Sequence, residues 1–306
     1  MFASLALLLA AAQLNQVVIP LQKPPRNVEQ PKAPIETAGP AFAAACKDWD
    51  DWDKPAPPVR IHANTYLVGT CGISAILVTG SEGHVLIDGG TEAGADLIAA
   101  NIRSLGFRLA DIKYILSSHE HFDHVGGIAR LQRLTGARVV ASPAAAKVLA
   151  SGVPGAADPQ AGTAKPFPPV RVDRVIEDGG FVQTHDLKLT AIATPGHTPG
   201  ALTWTWVSCQ SGVCRNIVYA DSLSPVSRDG YRFSDHPDYL AAYRASIARV
   251  ARLDCDILLT PHPSASKMVE RLALGEPLDD HNGCRAYAAS LTKALDERLA
   301  KEAAAR

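Results

Sequence analysis

Apolar residues along this chain fall into short runs, some alternating with polar positions and others spaced as one face of a helix. Residues 65–68, 73–78 and 85–87 are β-like runs separated by glycine-containing turns. Residues 92–105 carry the spacing of an amphipathic helix, and 112–116 read as a buried strand. A helix over 128–134, a strand at 139–140 and a helix over 144–149 follow. After an irregular, proline-rich stretch at 151–169, the pattern returns to strands at 170–176, 181–184, 187–193, 202–207 and 217–219. A helix over 239–253, a short buried strand at 257–259 and a charged amphipathic helix over 286–305 complete it. Each half thus reads as strands followed by strand–helix units. The economical way to bury both sets of strands is two packed sheets with helices outside, an α/β architecture.

The start of the chain has a different texture. Residues 1–12 are small and apolar, and too few to span a bilayer, which takes roughly 20 residues. They resemble the core of a secretory signal peptide ending in alanines at 10–12, although the usual positive flank is missing. Residues 13–45 are rich in proline, glutamine and alanine and read as an extended linker. The single folded domain is expected over 46–306.

Composition narrows the options. With 306 residues, 47% hydrophobic and 20% charged, the chain can bury a sizeable core and is not disordered overall. A net charge of -1 with scattered lysines and arginines excludes a nucleic-acid surface. Six cysteines behind a secretory leader point to disulfides and an oxidising compartment. Cys209 and Cys214 flank a turn between two β-rich runs and are natural partners; the pairing of the other four stays open from spacing alone. None lies in the histidine-rich stretch, which disfavours a thiolate metal site.

That stretch is His119-Glu120-His121-Phe122-Asp123-His124, directly after the buried strand at 112–116. Imidazole nitrogen and carboxylate oxygen are ligand types that suit zinc. A strand entering a tight turn can splay His119 and His121 towards one metal and Asp123 and His124 towards a second. Gly126-Gly127 suits a close backbone approach and the start of a helix. Two more histidines stand at strand ends between Pro and Gly residues: His197 in Thr194-Pro195-Gly196-His197-Thr198-Pro199-Gly200, and His262 in Thr260-Pro261-His262-Pro263. Rigid loops of this kind are where sites are built. His62, His84, His185, His236 and His281 lack such context and read as surface or packing residues. Asp88, ending a strand beside the expected site, is either a turn residue or a partner that orients a ligand histidine. Ser117 and Ser118 lack the setting of a serine nucleophile and read as structural.

These three motifs together resemble the metallo-β-lactamase superfamily, most closely the third subclass of class B β-lactamases, over most of the chain from Cys46 onward. The resemblance implies an αββα sandwich of two similar halves and two Zn2+ ions per chain. It implies His119, His121 and His197 around the first zinc, and Asp123, His124 and His262 around the second. It implies Ser222 and Ser224 as hydrogen-bond partners of a substrate carboxylate, Gln160 as a residue overhanging the site, and disulfides Cys46–Cys71, Cys209–Cys214 and Cys255–Cys284. The activity it implies is hydrolysis of the β-lactam amide of antibiotics, carbapenems included, by a metal-bound hydroxide that Asp123 orients. Such an enzyme would be periplasmic, with a small-molecule β-lactam as partner, no stable membrane insertion, no nucleic acid, and a monomer as the favoured state. The rival on the same scaffold is a lactonase or thioesterase, whose relatives usually bridge both metals with an aspartate. Asp221 stands one residue from Ser222 and would be that bridge if the register shifted.

Overall fold

The computed structural model describes residues 35–47, 51–275 and 278–305. The expected leader at 1–12 lies outside them. Among the described residues, twelve strands form two sheets. The first holds β1 (Val59–His62), β2 (Thr65–Leu67), β3 (Ile76–Val78), β4 (His84–Ile87), β5 (Ile112–Leu116), β6 (Arg138–Ala141) and β7 (Arg174–Val175), side by side in that order. The second holds β8 (Phe181–Gln183), β9 (Lys188–Ala193), β10 (Leu202–Gln210), β11 (Val213–Tyr219) and β12 (Ile257–Leu259), also in sequence order across the sheet. Strands joined by hairpins pair antiparallel, whereas β4 to β7 pair parallel, as does β11 with β12. A parallel pair needs a crossover, and the crossovers are the helices.

Strand periodicity sorts the side chains into layers. Ile76 and Val78, Val85 and Ile87, Ile217 and Tyr219, and Ile257 and Leu259 all point into one central cluster between the sheets. The alternate residues Leu77 and Leu86 turn outward beneath α2 (Gly94–Ser104), α4 (Ile128–Thr135) and α5 (Pro143–Ser151). Val218 and Leu258 turn outward beneath α6 (Pro237–Val250) and α8 (Gly283–Ala304). The result is the expected αββα sandwich. Buried indole nitrogens tie the sheets together: Trp204 donates to the Ser117 carbonyl at 2.9 Å and Trp206 to Thr65 Oγ1 at 3.1 Å.

Several expectations need correction. The proposed linker at 13–45 ends in a helix, α1 (Ile35–Ala45), which carries Pro40 inside it. Phe42 and Cys46 are fully buried in the central cluster beside Met268 and Leu272 of α7 (Met268–Ala273). Prolines argued for extended chain, and burial of one phenylalanine outweighs that local preference. The strand expected over 170–176 is only Arg174–Val175, and the one over 73–78 only Ile76–Val78. Strand β1 and helix α7 were not foreseen. Residues 152–173 form turns and irregular chain, as the prolines suggested. The three disulfides are Cys46–Cys71, Cys209–Cys214 and Cys255–Cys284.

Helix α8 is fastened at both ends. Cys284 in its first turn is bonded to Cys255. Near its last turn, the Glu302 carboxylate accepts from the backbone N–H groups of Phe233 and Ser234 at 3.0 Å each and from Arg298 Nε at 2.8 Å. Burial works to raise this carboxyl, but the two backbone N–H groups and Arg298 hold it below its usual value of 4.5. A depressed native pKa means that its contribution is complete above the unfolded value and is lost as pH falls through the native one. Glu302→Gln is expected to lower stability at pH 7 by about 1–2 kcal/mol, and the deficit should shrink in denaturant melts below pH 4.5.

Candidate metal centre

The candidate ligands, with Asp88 and the segment Asp221 to Ser224, gather at one rim of the sandwich, on loops leaving the C-terminal ends of strands. β5 delivers His119, His121, Asp123 and His124; β9 delivers His197; β11 delivers Asp221 to Ser224; β12 delivers His262; β4 delivers Asp88. The turn after β5 runs into a single helical turn, α3 (Phe122–Val125). It is laced to the end of β4: Gly89 N–H donates to the His124 carbonyl at 2.8 Å and Gly127 N–H to the Gly90 carbonyl at 3.0 Å. The expected close approach at Gly127 is real, since a Cβ there would sit 2.2 Å from the Gly89 oxygen.

His119, His121 and His197 form one donor group, with one ligand atom from each within 4.8 Å of the others. Their rings are mutually near edge-on, with centroids 5.1, 4.8 and 4.9 Å apart. Asp123, His124 and His262 form a tighter triangle. Asp123 Oδ2 is 3.1 Å from His124 Nε2 and 3.4 Å from His262 Nε2, and the two nitrogens are 3.3 Å apart. His119 also falls within 4.8 Å of Asp123 and His124, so the two groups adjoin. His124 is fully buried, and the other donors of the β5 turn and His197 nearly so.

Four of the five imidazoles are held by their outward nitrogen. His119 Nδ1 donates to Asp221 Oδ1 at 2.7 Å, His121 Nε2 to Asp158 Oδ2 at 3.0 Å, His197 Nδ1 to the Ser224 carbonyl at 2.9 Å and His262 Nδ1 to the Gly72 carbonyl at 3.2 Å. His124 Nδ1 faces Asp88 Oδ2 at 3.7 Å. Asp88 is itself fixed by Ser118 N–H and Tyr219 OH, each at 2.7 Å, and it adopts the left-handed backbone region at φ 66°. Its carboxylate thus lies beside a histidine without a hydrogen bond to it. A nitrogen tethered on one side fixes the tautomer and leaves the other lone pair free.

That arrangement fits a metal pair. His119 Nε2 is buried with no hydrogen-bond partner in the protein. Tetrahedral zinc with nitrogen and oxygen ligands at roughly 2.0–2.1 Å places neighbouring donors about 3.3–3.4 Å apart. The edges of the Asp123–His124–His262 triangle match. All six cysteines are in disulfides, so the donor set is purely nitrogen and oxygen.

Three of the five imidazoles, His119, His197 and His262, are driven towards the neutral form that a ligand takes, whereas in His121 and His124 burial is outweighed by Asp158 and Asp123, which raise them. Burial, then the neighbouring His119 and His121, push His197 down to about 3; burial and His124 push His262 down to about 4. Both are neutral at physiological pH, as ligands must be. Burial opposes ionisation of Asp123, but the charge and hydrogen bond of His124, with His119 and His262 behind it, hold its carboxyl well below the carboxylate range. Burial raises Asp88 and Asp221 to about 6 and Glu120 to about 7.

Of the remaining candidates, Ser224 Oγ lies 3.1 Å from His197 Nδ1, and Ser222 Oγ is buried without a partner. Gln160 is half-buried in the loop after α5, where its N–H donates to Asp158 Oδ1 at 2.7 Å. Asp221 belongs to neither donor group, since its Oδ1 is engaged with His119. His84 is a buried packing residue set edge-on to Phe107, as read from the sequence. Sequence reasoning missed Asp158, whose only signal is its place in an unusually long loop. It also missed Glu120, which clamps the two histidine loops together by accepting from Thr198 Oγ1 at 2.7 Å and Gly200 N–H at 2.9 Å.

Residues 68–262 match the metallo-beta-lactamase superfamily, and the chain belongs to that family. It is similar in structure to the MIM-2 metallo-beta-lactamase, with 55% identity, a TM-score of 0.83 and coverage of 87% of this chain and 98% of that one. The MIM-1 metallo-beta-lactamase from Novosphingobium pentaromativorans is 51% identical, with a TM-score of 0.84 and coverage of 86% and 98%. MEM-A1, a subclass B3 metallo-beta-lactamase from a soil metagenome library, is 46% identical, with a TM-score of 0.81 and coverage of 84% and 100%. Curated relatives match over shorter spans. A hydroxyacylglutathione hydrolase from Methylobacterium nodulans is 38% identical over 113 residues, covering 37% of this chain and 34% of its own length. One from Ectopseudomonas mendocina is 31% identical over 106 residues, covering 35% and 33%. The chain thus spans about a third of the length of these relatives.

The His119–Asp221 contact makes a direct prediction. Asp221→Asn keeps the shape but removes the charge that orients His119, so metal affinity is expected to fall about 10–100-fold. Competition with a chromophoric chelator would measure it, with circular dichroism unchanged.

Proposed function

We propose that this chain is a zinc-dependent β-lactamase that opens the ring amide of β-lactam antibiotics, carbapenems included. The observation that carries the reading is the pair of adjoining donor groups, three histidines in one and Asp123, His124 and His262 in the other, within a chain about half identical to subclass B3 and related metallo-β-lactamases over nearly their whole length. His119, His121 and His197 would hold the first zinc; Asp123, His124 and His262 the second. When bound, such a pair supplies Lewis acidity and a water nucleophilic near neutral pH.

The protein's own groups do the rest. Asp123, kept ionised by its histidine neighbours, presents Oδ2 to the second donor group and leaves Oδ1 to accept a hydrogen bond from the attacking water, so that its lone pair faces the carbonyl carbon. The water oxygen bonds to the carbonyl carbon, the amide C–N bond breaks, and a proton from the water ends on the ring nitrogen. Ser222 Oγ, lacking a partner in the protein, is a donor for the substrate carboxylate, with Ser224 beside it and Gln160 in the overhanging loop. Exposed Trp52 lies at the mouth, its ring 5.6 Å from that of Phe122 and 5.8 Å from that of His262, and offers an apolar surface to a substrate side group. The position of Asp221 disfavours the thioesterase alternative, because its carboxylate is occupied behind His119 instead of lying between the donor groups. Export to the periplasm fits the three disulfides. No helix among the described residues is long and apolar enough to cross a membrane.

The purified zinc-loaded chain is expected to hydrolyse a carbapenem and a cephalosporin, and to lose both activities in a chelator and regain them with zinc. Zinc binding without turnover of either would overturn the reading and redirect the search to lactones and thioesters.

A further inference from the structure

The segment from Asp221 to Ser224 is a strap that touches two histidines of the first donor group and carries the proposed substrate serines. Its first residue orients His119 and the carbonyl of its last accepts from His197. Between them, Leu223 adopts φ 45°, a left-handed conformation unfavourable for a branched, bulky side chain. Such a conformation persists only where its surroundings over-determine it. The surroundings are two buried phenols from different helices. Tyr287 of α8 donates its hydroxyl to the Ser222 carbonyl at 2.5 Å and lies 3.0 Å from the Asp221 carbonyl. Tyr243 of α6 donates to the Leu223 carbonyl at 2.6 Å. The Ser222 and Leu223 carbonyls thereby each accept a phenol proton, with the Asp221 carbonyl beside the Tyr287 hydroxyl, and the Ser224 carbonyl accepts from His197. The Tyr243 ring also packs flat against Gly196, where a Cβ would fall 2.3 Å from it.

We propose that Tyr243 and Tyr287 are positioning residues for substrate: by gripping the strap through its carbonyls, they set the direction in which the Ser222 and Ser224 hydroxyls meet the substrate carboxylate. The inference rests on the assignment of those serines to substrate. Neither phenol touches a donor of either metal group; each acts on backbone that no side-chain pattern reveals. Burial keeps both phenols protonated, Tyr243 and Tyr287 lying well above the ordinary tyrosine value, so both act as donors throughout the working pH range. The anchoring of α8 by Cys284, one turn before Tyr287, sets the height from which that hydroxyl reaches the strap.

The test is a double-mutant cycle on the zinc-loaded full chain, combining Tyr287→Phe and Tyr243→Phe with Ser222→Ala/Ser224→Ala, with zinc content, melting temperature, kcat and KM read for every variant. Each Phe variant keeps the ring and its packing and deletes only the hydroxyl. The expected result is two zincs retained, KM raised roughly tenfold and kcat changed less than about twofold. The KM effect of each Phe variant should largely vanish in the serine-deleted background, because both changes act on one interaction. Loss of zinc in the Phe variants would overturn the proposal by showing that the phenols serve the metal shell. A lower melting temperature with KM unchanged, or fully additive KM effects, would overturn it too. If Ser222→Ala/Ser224→Ala itself leaves KM unchanged, the serine assignment falls and takes this proposal with it. If only the Phe variants are silent, the assignment stands and this proposal alone fails.

Discussion

The structure depends on holding five imidazoles and a carboxylate together where, His262 apart, water is nearly excluded. Free imidazole lone pairs repel at 3–5 Å, and a buried polar atom without a partner costs roughly 1–3 kcal/mol. His119 Nε2 is such an atom, and the His124–Asp123–His262 triangle brings three more donors within 3.4 Å of one another. No local sequence preference favours that arrangement. It is imposed from outside, by hydrogen bonds to the far nitrogens of four rings and by two sheets whose strand ends cannot move independently. The Trp204–Ser117 bond and the Glu120 clamp show how: each joins the strand that carries the first histidines to the loop or strand beside the fourth.

The donors were legible in the sequence because their chemistry is local. His119 to His124 is six residues long, and His197 and His262 announce themselves by the prolines and glycines that stiffen their loops. The sheets were legible for a related reason. Strands such as Val85–Ile87 and Ile217–Tyr219 are buried on both faces, so they stand out as continuous apolar runs. The two-layer reading then follows, since such strands need cover on each side.

What stayed hidden is non-local. Asp158 holds His121 across 37 residues, Asp221 holds His119 across 102, and Tyr219 reaches Asp88 across 131. None of these acids or phenols sits in a pattern that marks it; each matters only because the fold brings it behind a ring. Asp221 illustrates the limit. In the sequence it stood as the rival bridging ligand, one register step from Ser222; in the structure its Oδ1 is engaged with His119 Nδ1 at 2.7 Å. Helix α1 failed for the opposite reason. Its local signals, prolines above all, were read correctly as unfavourable for helix, but they are weak beside the burial of Phe42 in the central core.

The same long-range partners carry a consequence for how metal and fold support each other. Asp88, Asp221 and Glu120 are buried carboxyls raised to between about 6 and about 7. As anions they are costly in a dry interior, and their histidine neighbours cannot all be charged to offset them, because His197 and His262 are driven the other way. A divalent cation held by these donors would resolve the conflict. It favours the neutral imidazoles on one side and the ionised carboxylates behind them on the other. Fold and metal site therefore share one electrostatic balance. The scaffold holds the ligands in a geometry that is unfavourable by itself, and the ion that fits that geometry makes the buried charges around it compatible.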